Sequence, residues 1–117
     1  MNVQDVGQIA GQCYAIACPT SSPPTGVQIQ PAGGSAGTIS VDIMNTGANA
    51  ALISYGPSAA AAQTSAVFPV TGTPQNCVVI PPNFSKRFEF PAGSYFSGLA
   101  LTATANVYLT PLATQQK

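Results

Sequence analysis

The sequence predicts an all-β domain, a two-sheet antiparallel sandwich or jelly roll of about eight strands with negligible helix. Three observations predict it. Glycine and proline, 11 of each in 117 residues, recur every few positions and leave no room for a helix of ordinary length. Short β-branched and aromatic runs are separated by turn clusters at intervals of roughly 8 to 12 residues, the spacing of sandwiches and barrels. Hydrophobic residues make up 45% of the chain and charged residues only 5%, the reverse of a disordered composition. At this length one domain is expected.

Strands are expected over residues 12–17, 27–30, 38–45, 50–55, 66–70, 77–80, 85–90, 95–101 and 105–110. Residues 1–26 stand apart, because one apolar stretch is followed by Pro19, Pro23 and Pro24 among Ser and Thr, which keeps the chain extended. They read as an N-terminal arm, or as a first strand with a Pro-rich loop, and residues 27–117 as the sandwich domain. In 38–45 the residues Ile39, Val41 and Ile43 alternate with Ser40, Asp42 and Met44, so one face covers a core. Asn45-Thr46-Gly47-Ala48-Asn49 then tolerates positive φ, and a hairpin to 50–55 is expected.

Ala59 to Ala62, after Pro57-Ser58, can give one short turn of helix at most. Pro81 and Pro82 separate two strands because neither can donate to a ladder. In 85–90, Phe88 and Phe90 share a face with the preceding Phe84, while Ser85, Arg87 and Glu89 share the other. Lys86 falls on the aromatic face, near its end, where its ammonium can reach water past the rings. Pro91-Ala92-Gly93-Ser94 is a turn, and 95–101 with 105–110 read as a closing hairpin.

Chemistry is scarce. General acid–base catalysis needs a group whose pKa can be brought near neutrality, and the chain has no His. Asp5, Asp42 and Glu89 are spread over an arm and two strands, and nothing in the sequence gathers them. Cys13, Cys18 and Cys77 have no electropositive neighbour to activate a thiolate, and they read as reduced, buried thiols. Cys13 and Cys18 are five apart in a strand run, on opposite faces, so they do not bridge each other. Zinc would need a fourth ligand and a C-x-x-C spacing that is absent. Ser85 and Lys86, adjacent in a strand, point apart and cannot form a dyad, and the glycines of 31–37 lack the lysine and helix of a phosphate loop. No catalytic residue, cofactor or metal is expected.

Partners are bounded by the same composition. Only Lys86, Arg87 and Lys117 are cationic, too few for a phosphate-driven nucleic-acid interface. No run of about 18 apolar residues could span a membrane, and the first residues hold Asp5 without the basic residues of a secretory signal. A neutral surface this poor in charge lacks the usual means of staying separate, so a homo-oligomer, dimer or trimer, is expected. Tyr14, Tyr55, Tyr95 and Tyr108 leave a second class open, a carbohydrate-binding sandwich module that stacks sugars on exposed rings.

The stretch from Ile39 through Asn45-Thr46-Gly47 to Gly56, then Val79-Ile80-Pro81-Pro82, Pro91-Ala92-Gly93 and Thr104-Ala105-Asn106-Val107-Tyr108-Leu109-Thr110-Pro111, resembles small virion proteins of tailed bacteriophages. The resemblance spans residues 38–111. The segment up to Gly26 and the ending after Pro111 lie outside it. It implies an all-β structural protein of the virion, assembled in the host bacterial cytoplasm and carrying no catalytic residues. The expected role is a capsid decoration or cement protein that binds the major capsid protein from outside the head lattice. A head–tail adaptor or fibre-attachment protein is the alternative in the same setting.

Overall fold

A computed structural model describes residues 8–9, 12–29, 38–91 and 93–113. Asp5, Lys117 and the Gly-rich 31–37 segment lie outside the described residues, as do Gln30 and the ending from 114 onward. The elements are β1 (Gln8–Ile9), β2 (Tyr14–Cys18), β3 (Val27–Gln28), β4 (Thr38–Asn45), β5 (Ala51–Gly56), α1 (Ala59–Thr64), β6 (Cys77–Ile80), β7 (Phe84–Pro91), β8 (Tyr95–Ala100) and β9 (Ala105–Ala113).

The strands form two antiparallel sheets packed as a sandwich. Sheet A runs β2-β9-β4-β7, with β1 continuing the β2 edge along β9, and sheet B runs β3-β8-β5-β6. The pairings β2–β9, β3–β8, β4–β7 and β5–β6 are those of one long hairpin, whose arms β2–β5 and β6–β9 match strand for strand. Rolling that hairpin adds the pairs β4–β9 and β5–β8 and produces a jelly roll.

Alternation decides which residues meet inside. Ile16 and Cys18 of β2, Ile39, Val41 and Ile43 of β4, Phe90 of β7, and Val107 and Leu109 of β9 face Ile53, Ile80, Phe96 and Ala100 of sheet B. The Phe90 ring meets the Phe96 ring edge-on at 4.9 Å and the Tyr55 ring at 5.3 Å, which clamps the two sheets. β2 and β8 approach closely because residue 98 is glycine: a Cβ there would stand 2.6 Å from Cys18 Sγ and 3.0 Å from the Leu52 carbonyl oxygen.

Two expected hairpins are instead crossings between the sheets. β4 lies in sheet A and β5 in sheet B, and β8 and β9 likewise lie in different sheets. The physical reason is visible in β5, where Ala51, Leu52, Ile53 and Ser54 are all buried and both strand faces therefore need cover. Pairing beside β4 would leave one of those faces wet, and a loop of this length spans the roughly 10 Å between packed sheets as readily as it closes a hairpin. The strand expected at 66–70 is absent. Pro69 interrupts it, and only a bridge between Val70 and Thr73 remains. The short β1 was not foreseen.

The crossing loops are tied together by one side chain. Asn45 is fully buried at the end of β4; its Nδ2 donates to the carbonyls of Asn49, Ile80 and Pro81 at 2.9, 3.2 and 3.3 Å, and its Oδ1 accepts from Gly47 N at 2.9 Å. Thr102 Oγ1 donates to Asn49 Oδ1 at 2.8 Å, and Leu101 N donates to Ala50 O at 3.0 Å. The β4–β5, β6–β7 and β8–β9 connections thus share one hydrogen-bonded network.

Candidate functional site

The two outer faces of the sandwich are treated differently. On sheet B the outward residues Leu52, Ser54, Gly56 and Ser97 are buried, because the chain covers them itself, while Val79 on the β6 edge of that face is exposed. Helix α1 is capped by the Ser58 hydroxyl, which accepts from Ala61 N at 3.1 Å, and it lies flat on the sheet. Ser54 Oγ donates to Ala62 O at 2.6 Å, Ser97 Oγ to Pro24 O at 2.6 Å, and Gln63 Nε2 to Pro23 O at 2.8 Å, so helix and Pro-rich segment are fastened down together. Such approach needs glycine at 26 and 56, where a Cβ would stand 2.9 Å from Ala59 O and Ala62 N respectively. The helix is six residues long, slightly more than the single turn expected.

Sheet A keeps its central rows open. Register places Met44 of β4 between Tyr108 of β9 and Ser85 of β7, and Asp42 between Thr110 and Arg87. Met44 is 42% exposed and Tyr108 37% exposed, with Ala15, Ala17, Asn106 and Glu89 also exposed on this face. At its corner the 40% exposed Phe84 joins Met44, Thr46 and Asn83 around a depression of about 260 Å³. Asn83 holds the corner with φ +52°, the left-handed conformation that Asn tolerates. Its N–H donates to Gly47 O at 3.3 Å.

Compared with known protein families, curated proteins and solved structures, the chain matches none.

Among the described residues, three of the four charged side chains lie on one strand. Lys86, Arg87 and Glu89 all lie on β7, and Asp42 sits opposite Arg87 on β4. The phenylalanines of β7 grade from outside to inside: Phe84 exposed, Phe88 half-buried, Phe90 buried. Lys86 is exposed on the aromatic side with its Nζ 5.8 Å from the Phe88 ring centre, as its place in the sequence implied. β7 ends the order of sheet A, so among the described residues its second side has no strand partner.

The thiols divide three ways, which corrects the expectation that all are buried. Cys13 precedes β2 and is exposed, Cys77 is half-buried, and Cys18 points into the core. Burial pushes the Cys18 thiol up to about 12 and raises that of Cys77 to a lesser degree. Among the described residues no group of three or more His, Cys, Asp or Glu could hold a metal ion, and no helix is long and apolar enough to cross a membrane. Tyrosines do not gather into a sugar platform: Tyr14 and Tyr55 pack against the core, and among the described tyrosines Tyr108 is the most exposed.

Two measurements follow from the thiols. With an aromatic disulfide reagent, Cys13 is expected to react first, Cys77 more slowly, and Cys18 only at the rate of unfolding; a fast second or third thiol would refute this burial order. Cys18 also makes stability depend on alkaline pH. Its thiol ionises near 9 in the unfolded chain and near 12 in the fold, so the native state keeps a proton that the unfolded state releases. That stability is complete below pH 9 and is lost as pH rises toward 12, by about 4 kcal/mol. Urea unfolding of Cys18→Ala across this range should lack that decline relative to the parent chain.

Proposed function

We propose that this chain is a non-catalytic structural protein of a tailed-phage virion, a decoration protein that lies on the outer surface of the head lattice and reinforces it. The observation that carries the reading is the contrast between the two outer faces. The centre of sheet B is covered by the chain's own helix and Pro-rich segment, leaving Val79 exposed on its β6 edge, whereas the central strands of sheet A present Met44 and Tyr108 to solvent in a protein with 5% charged residues. Apolar side chains on the open central rows of sheet A, with Asp42, Arg87 and Glu89 grouped toward the β7 side of the same face, favour burial against a partner, here the major capsid protein. Each 1,000 Å² of apolar surface removed from water contributes on the order of 25 kcal/mol before association losses. Repetition over a shell multiplies even a small contact. The resemblance over residues 38–111 points the same way.

The test uses purified capsids lacking the protein. Added protein is expected to bind at many copies per particle and to raise the temperature at which the shell ruptures. Met44→Lys with Tyr108→Glu should weaken that binding by at least about tenfold while leaving the unfolding midpoint nearly unchanged, since both side chains are substantially exposed and the two new charges, directly opposed across the strands, are of unlike sign. A stoichiometry of a dozen or fewer per particle would turn the reading to a head–tail adaptor or fibre-attachment protein. No binding to any virion component ends it.

A further inference from the structure

We propose that β7 is a self-complementary edge through which two copies of this chain join sheet A to sheet A. β7 is eight residues long, Phe84–Pro91, and among the described residues it pairs on one side only, with β4. An exposed edge of that length is a template for another strand. The occupant follows from the order of its charges. Arg87 and Glu89 are two apart, so they point to the same outer face, and neither engages in an ion pair among the described residues.

In an antiparallel pair, opposed residues point to the same face, so a two-fold pairing of β7 with itself must be centred on a residue and not between two. Centring on Arg87 or on Glu89 sets that charge against its own copy, and centring on Lys86 does the same. Centring on Phe88 sets Arg87 of each copy opposite Glu89 of the other, twice, with the two Phe88 rings meeting on the inner face beside Lys86. Like charges directly opposed are destabilising and unlike charges stabilising, so the charges select this one register. It pairs Ser85 with Pro91 at each end and leaves Pro91, which has no N–H to offer, at the margin of the ladder. The rival role for charges on an edge is to keep it from pairing at all. The two roles predict opposite results.

The proposal does not require a virion role, and its test is made on the isolated full chain. Sedimentation equilibrium or native mass spectrometry of the parent chain is expected to give a dimer. Arg87→Glu alone opposes Glu to Glu, and Glu89→Arg alone opposes Arg to Arg; each should weaken dimerisation on the order of 30-fold. Mixed together, the two single variants should form a heterodimer, because each 87–89 contact is again between opposite charges. The double variant R87E/E89R should recover the homodimer. Far-ultraviolet circular dichroism of each variant establishes that it is folded. A parent chain that stays monomeric at all concentrations overturns the proposal. So do single variants that dimerise as well as the parent, or folded single variants that do not combine. A dimer that binds no capsid leaves this inference standing and removes the previous one.

Discussion

Asn45→Ala is expected to lower stability by about 3–5 kcal/mol, because buried acceptors left without donors each cost about 1–3 kcal/mol. The carbonyls of Asn49, Ile80 and Pro81 and the N–H of Gly47 lose their shared partner at once. For a domain of this size the midpoint of thermal unfolding should fall by roughly 12–20 °C, readable by calorimetry. Asn45→Asp separates hydrogen bonding from packing. The shape is kept, but a carboxylate faces three carbonyl oxygens, so its folded pKa must lie above the unfolded value near 4. Stability lost at neutral pH should then return in part as pH falls toward 4 and the acid regains an O–H donor. If Asn45→Asp is as stable as the parent at pH 7, the network is not what holds these loops.

Gly98→Ala is the second large effect. The added methyl group meets Cys18 Sγ at 2.6 Å, Leu52 O at 3.0 Å and Ile53 Cδ1 at 3.2 Å, and only the first and third can move. A loss of about 3 kcal/mol is expected, at the upper end for overpacking. Cys18→Ala by itself also destabilises, by opening a small void in the core. Combined, the two changes should compensate by at least about 1 kcal/mol, since the methyl group added at position 98 occupies space the sulfur vacates. The remaining deficit belongs to the Leu52 carbonyl, which is backbone in the neighbouring strand. Urea unfolding of the four proteins in this cycle measures the coupling. Strict additivity would mean that β8 shifts away from β2 and does not press on Cys18.

The strands were legible because a half-buried strand writes its two faces into the sequence. Ile39, Val41 and Ile43 alternate with Ser40, Asp42 and Met44, and the first set is buried. What a strand does not write is which sheet it joins. Asn45-Thr46-Gly47-Ala48-Asn49 reads as a hairpin loop, but the crossing uses none of its tolerance for positive φ and needs only small loop residues and the hydrogen bonds of the Asn45 side chain. The clue lay in Ala51-Leu52-Ile53, a continuous apolar run whose both faces need cover. Ala66 and Val67 looked like strand residues, but Ala66 is buried behind α1 and Pro69 stops any ladder. The open surface was half legible: alternation sorted Met44, Arg87 and Glu89 onto an outer face, while the unpaired side of β7 follows only from the rolled topology. Burial of Cys18 and exposure of Cys13 depended on where β2 begins, a shift of two residues from the expected start.

The rolled hairpin has a consequence for synthesis. β9, the last of these strands to leave the ribosome, lies between β2 and β4 and is the inner neighbour of both. Until it emerges, sheet A is two separate pieces with a slot where Val107 and Leu109 belong, and both pieces present their apolar sides to water. The nascent polypeptide therefore cannot close its core until β9 has emerged, and up to that point its apolar strand faces stay open to water.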